Sequence, residues 1–184
     1  FTVTNDNPSL FDIQPDVDET TGTLTYTPNA NAYGTALVTV ILSDNGGTAN
    51  GGTDYSFQFF KITISSVNDA PFFTKGDNQT VLEDAGTQTV NSWARNISRG
   101  NTRELSQSLQ FFVSNNNTAL FSIQPAIDAV TGNLTYTPAK DAFGSATVSV
   151  LLKDNGGTTN GGDDTSTEIT FSIGITSVND GPVI

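Results

Sequence analysis

The sequence predicts an all-β protein made of two tandem antiparallel Greek-key β-sandwiches, the first lacking its opening strands. Three observations carry this reading. The run Phe1 to Asp54 returns at Phe111 to Asp164 with a constant offset of 110, and 32 of the 54 aligned positions are identical. A period of that length matches a whole small domain rather than a solenoid unit. Thr- and Val-rich runs alternate with turn clusters along the whole chain, and no segment carries a convincing helical apolar stripe.

The elements follow in order. In copy one, Leu24 to Thr27 reads as a strand, and so does Ala36 to Leu42, where Ala36, Val38, Val40 and Leu42 form an apolar face. Turn clusters separate the runs, as at Asn5-Asp6-Asn7-Pro8 and Asp44-Asn45-Gly46-Gly47. Copy two has a preface, Pro71 to Gln110, that copy one does not have. Seven strands are expected in the complete repeat, near 79–84, 87–94, 108–114, 120–125, 133–137, 145–153 and 166–177. Trp93, the single tryptophan, is expected in the core on the second of these. The domains are then 1–69, a partial repeat; 70–180, a complete one; and 181–184, the start of a following linker. Val67-Asn68-Asp69 recurs at Val178-Asn179-Asp180 with an offset of 111, so copy two carries one extra residue. The expectation is either an excerpt from a longer array or a subunit whose missing strands come from a neighbour.

Composition narrows the function. A net charge of −12, from 19 acidic and 7 basic residues, argues against nucleic acid or an anionic membrane as partner. It suits an extracellular protein with an appetite for divalent cations. No apolar run approaches the roughly 18 residues of a membrane span. Cys, His and Met are absent, which excludes disulfides, thiolate or imidazole metal sites and the commonest general base. An enzyme is not expected: Asp16 and Asp18 could pair as catalytic carboxylates, but Ala126 stands at the first of these positions in copy two.

The ordered motifs then carry a resemblance. VNDAPFF at 67–73, LEDAG at 82–86, TG-LTYTP, a strand ending in Asp-x-Gly and a final Val-Asn-Asp-x-Pro resemble a cadherin-type repeat, and more closely the bacterial cadherin-like tandem repeats of giant secreted adhesins and surface or filament proteins. The resemblance implies an Ig-like/cadherin-like sandwich and calcium at the junctions between repeats. By position it implies Asn68 and Asp69 as linker ligands, Asn179 and Asp180 at the far end, Glu83 (with Asp84 beside it) as the first-strand acid, Asp141 as the acidic loop and Asp154 as the aspartate closing the next-to-last strand. Asn31 replaces the counterpart of Asp141 in copy one, and the linker holds a single Asp per junction. A calcium-free alternative makes Asn-Asp-x-Pro a turn between sheets.

The glycine-rich loop DNGGTTNGGDD and its copy read as a structural turn, with metal binding by Asp154, Asp163 and Asp164 as the alternative. The resulting functional expectation is an extracellular structural module of a surface filament, fibre or adhesin stalk, partnered by copies of itself or by neighbouring repeats. The rival is an adhesin module recognising glycan or protein. Its one candidate surface is Tyr55, Phe57, Phe59 and Phe60, set against Thr165, Thr167, Ile169 and Thr170 in copy two. Lys61, a conceivable partner in a self-formed isopeptide bond, aligns with Phe171 on the same offset.

Overall fold

The computed structural model describes residues 1–182 and divides the chain into two compact units, Phe1–Val67 and Asn68–Ile184. Of the linker expected at 181–184, Val183 and Ile184 lie outside the described residues.

The first unit has five strands: β1 (Thr2–Asn5), β2 (Phe11–Val17), β3 (Leu24–Pro28), β4 (Gly34–Ser43) and β5 (Tyr55–Ile64). They form two sheets, β1-β4-β5 and β2-β3. Alternation sets the faces, as it must when side chains project to opposite sides of a strand. Ala36 and Val38 of β4 and Ile62 of β5 point inward with Leu10 and Phe11. The β2-β3 ladder slips on either side of Ile13, next to Pro15, which has no N–H to continue it.

The same five strands recur in the second unit, where nine are present. Four precede the repeat: β6 (Phe72–Thr74), β7 (Gln79–Leu82), β8 (Gln88–Val90) and β9 (Arg95–Ser98). Five reproduce it: β10 (Leu109–Asn115), β11 (Phe121–Ile127), β12 (Leu134–Pro138), β13 (Gly144–Asp154) and β14 (Ile169–Thr176). Their sheets are β10-β13-β14-β7, β11-β12-β8 and the pair β6-β9. All pairings are antiparallel except β14 with β7, which is parallel.

Three details differ from the sequence reading. β6 and β9 are strands that the reading left out. The expected strand at 87–94 ends at Val90, because the backbone turns at Ser92 (φ 49°), whose N–H donates to Asn133 Oδ1 at 2.9 Å. Trp93 therefore sits in the turn between β8 and β9, though it is core as expected, 2% exposed and 4.3 Å from Phe171 between ring centroids. The last strand starts at Ile169 instead of 166, because the extra residue of copy two falls between Thr165, which still bridges Lys153, and Ile169, which pairs with Val150.

The four added strands close the core. Leu134, Tyr136 and Leu152 are 0% exposed in the second unit, and their counterparts Leu24, Tyr26 and Leu42 are 36%, 41% and 50% exposed in the first. Fully burying such a side chain is worth about 1.5–3 kcal/mol. The first unit thus leaves uncovered an inner face whose counterparts Leu134 and Tyr136 share one core with Trp93, Ala94, Val81 and Val90 in the second. Tyr136 is so enclosed that its hydroxyl has no partner, and burial pushes its pKa above the ordinary value.

Candidate functional site

The residues implied as calcium ligands separate into two groups at opposite ends of β13. Beyond its start lie Asp84, Asp141 and Asp180, whose carboxylate oxygens fall within 4.8 Å of one another. Among the described residues they are the one such group of three. Asp84 and Asp141 both take the left-handed backbone (φ 59° and 55°), and the Asp141 N–H donates to Asp84 Oδ1 at 3.1 Å. Asp and Asn tolerate that conformation better than most residues. All three carboxylates are exposed, and Lys140 Nζ lies 3.4 Å from Asp141.

Glu83 stands beside this triad in a different role. It is buried, its Oε1 accepts the Val178 N–H at 2.6 Å, and its own N–H donates to Thr176 O at 2.9 Å. It pins the chain that follows β14. Asn179 Nδ2 donates to the neighbouring Asp180 carbonyl, at 3.3 Å. A hard dication wants six to eight oxygens. Asp84, Asp141 and Asp180 fit that donor set.

At the other end the pattern is reversed. Asn68 Nδ2 donates to Asp154 Oδ1 (3.0 Å) and to the Asp163 carbonyl (2.7 Å), and Asn68 Oδ1 accepts from Gln107 Nε2 (2.6 Å). Two acceptors on one side and a donor on the other fix the amide's orientation. Asp154 Oδ1 also accepts the Gly156 N–H at 2.8 Å. The Asp69 N–H donates to Glu104 Oε1 (2.9 Å), Glu104 Oε2 takes the Asn101 N–H (3.0 Å), and Asn101 Nδ2 donates to the Asp69 carboxylate. Here N–H groups reach one oxygen of Asp154, both oxygens of Glu104 and the Asp69 carboxylate. This end does not fit the ligand role implied for Asn68, Asp69 and Asp154. Two buried acceptors, Asp154 Oδ2 and Gln107 Oε1, have no partner.

Glu104, buried and accepting two backbone N–H groups, escaped the sequence reading. It follows Arg103 and precedes Leu105 to Leu109, a polar stretch in which nothing marks it for burial. The glycine-rich loop gains a purpose here. A Cβ at Gly156 would collide with the Asn68 carboxamide, and one at Gly162 would sit 2.9 Å from Asn68 N. The glycines let the loop close around Asn68.

Asp164 reaches the Asn68 end through its backbone, its carbonyl accepting the Asp154 N–H at 3.1 Å, while its side chain points to other partners. Its Oδ1 takes the Thr165 hydroxyl at 2.7 Å and lies 3.8 Å from Lys153 Nζ. Asp163 Oδ1 accepts the Thr165 N–H at 3.0 Å. In the first unit Tyr55, Phe57 and Phe59 do form an exposed stripe on β5, with ring centroids 6.5 Å and 5.3 Å apart. Phe60 leaves that set. The register pairs Phe60 with Val38 and Phe171 with Val148, so these two are equivalent, and Lys61 corresponds to Ser172 instead of Phe171.

No family model matches the chain, and no curated protein matches it. Solved structures do. Human protocadherin-24 EC1-2 is 15% identical with a TM-score of 0.51, covering 98% of this chain and 81% of its own. Human mucin-like protocadherin EC1-2 is 18% identical with a TM-score of 0.48, covering 96% and 84%. S-layer protein SbsC domains 4 and 5 are 16% identical with a TM-score of 0.35, covering 95% and 70%. At such identities likeness shows fold alone, and the fold is cadherin-like.

Proposed function

We propose that the chain is an extracellular structural module of a surface filament, fibre or adhesin stalk, in which the first unit accepts strands from a neighbouring chain. The supporting observation is the uncovered inner face of β3 and β4. The second unit covers that face with β7, β8 and the Trp93 turn, so the chemistry of a suitable guest is written in the same chain. It is an extended segment adding in parallel along β5, as β7 adds to β14, followed by a strand along β3 and an aromatic wedge. Strand addition satisfies the unpaired backbone of an edge and buries alternate side chains together. Duplication in series also favours a structural role, since catalysis needs one site and not a row of them.

Calcium is assigned to Asp84, Asp141 and Asp180, where it would neutralise three carboxylates and tie the chain after β14 to the loops before β8 and β13. Light scattering of the 184-residue chain in millimolar calcium tests the reading. Large ordered assemblies are expected, and a stable 19.4 kDa monomer at every concentration would contradict strand exchange. A second reading, an adhesin surface for glycan or protein, draws on the Tyr55-Phe57-Phe59 stripe. A glycan array probed with this chain and with Phe57→Ala separates the two.

A further inference from the structure

We propose that the Asn68 carboxamide does in this protein the work of a bridging cation, so that the start of the second unit is clasped without metal. Holding a chain segment against carboxylates requires positive charge or N–H donors between them. Asn68 supplies the donors, reaching Asp154 and the Asp163 carbonyl with one nitrogen. Its backbone completes the grip, because Asn68 O accepts the Asp163 N–H at 3.0 Å. Glu104 does the same for the next residue, Asp69. Each acid in the clasp thus meets N–H donors: Asp154 meets Asn68 and Gly156, Glu104 meets Asp69 and Asn101, and Asp69 meets Asn101.

The two ends of β13 are then chemically different. The Asp84, Asp141, Asp180 end responds to calcium, and the Asn68 end ignores it. In the first unit Asp44, the counterpart of Asp154, is exposed and accepts its own loop's Gly46 N–H at 2.7 Å. The clasp works whether or not chains assemble.

Replacing the amide by a carboxylate should convert this end into a calcium site. Asn68→Asp removes the donors and sets a new negative charge against Asp154. It also presents that charge to calcium beside the two unpaired acceptors, Asp154 Oδ2 and Gln107 Oε1. Amide hydrogen exchange of the whole chain reads this directly at Gly156, Asp163 and Asp69. In the unaltered protein, exchange at all three is expected to be the same in EDTA and in millimolar calcium. In Asn68→Asp it should rise about tenfold or more in EDTA, the scale of losing a hydrogen bond to a charged group, and fall back in calcium. Asn68→Ala should exchange faster in both conditions. Protection that depends on calcium in the unaltered protein overturns the proposal, and so does full protection of Asn68→Ala. Should Asn68→Asp fail to fold, those two arms still decide.

Discussion

Gly22 and Gly132 share one backbone conformation, φ 70° and 71°, and meet different surroundings. Nothing lies within 4 Å of a Cβ placed at Gly22, whereas one at Gly132 would run into the Ala94 carbonyl. Alanine at Gly22 should therefore cost only the left-handed backbone strain, about 1 kcal/mol. Gly132→Ala should cost at least about 2 kcal/mol more, since Ala94, whose N–H donates to Gly132 O at 2.9 Å, has to move. Urea unfolding of the two variants checks the difference. The loops holding these glycines also carry Asp18 and Asp128. The Thr21 hydroxyl and N–H hold Asp18 below the usual carboxylate range, and the Thr131 N–H and hydroxyl do so for Asp128. A lowered folded pKa stabilises the turn above the unfolded value, and that contribution is lost as pH falls through the folded one. An NMR titration should find both carboxylates titrating below 3.8, their ordinary value, and Thr131→Val should raise Asp128. The sequence exposed these residues as repeated motifs. It hid Glu104 and the donor role of Asn68, because an Asn reads equally as ligand or as latch until its neighbours are known.

β3 and β12 have one sequence, Leu-Thr-Tyr-Thr-Pro, and two environments. Local pattern made both strands legible, and repetition made their equivalence legible. Burial was not, because it depends on which strand lies alongside. Tyr136→Ala should destabilise the second unit by about 3–5 kcal/mol, as for other large core truncations. Tyr26→Ala should cost the first unit no more than about 1 kcal/mol, since that ring is half exposed and keeps one edge contact with Phe11 at 5.7 Å. Thermal melts of the two variants separate these values. β6 and β9 went unread for a physical reason. Each is only three or four residues long, and Asn96 in β9 has φ 50°, so neither shows the alternation that marks a strand. The one-residue slip before β14 was visible in the spacing of the Val-Asn-Asp motifs but not its place. The structure locates it after Thr165, which returns Phe60 to the core-facing set and leaves Tyr55, Phe57 and Phe59 outward.

At the scale of the whole chain, two units whose equivalent residues are unequally buried should unfold unequally. The only tryptophan reports on the second unit alone. Its fluorescence should therefore show a single transition at higher urea than the first loss of far-ultraviolet circular dichroism. Coincident transitions would mean that the uncovered face of the first unit costs it little stability. Net charge and the motif order made the broad class legible, and the residues that the resemblance implies as calcium ligands were legible only as a pool. Folding sorts that pool into an open acidic triad and an amide-filled clasp.

If the first unit is a strand acceptor, it should bind the strands that cover the same face in the second unit, which an NMR titration can follow. The isotope-labelled 184-residue chain would be titrated with an unlabelled peptide of residues 70–98, which carries β6 to β9. Saturable shifts are expected at Leu24, Tyr26, Leu42 and Ile62 to Ile64, with the signals of Leu134, Tyr136 and Leu152 unmoved. Unchanged signals along β3 and β5 at saturating peptide would contradict strand acceptance.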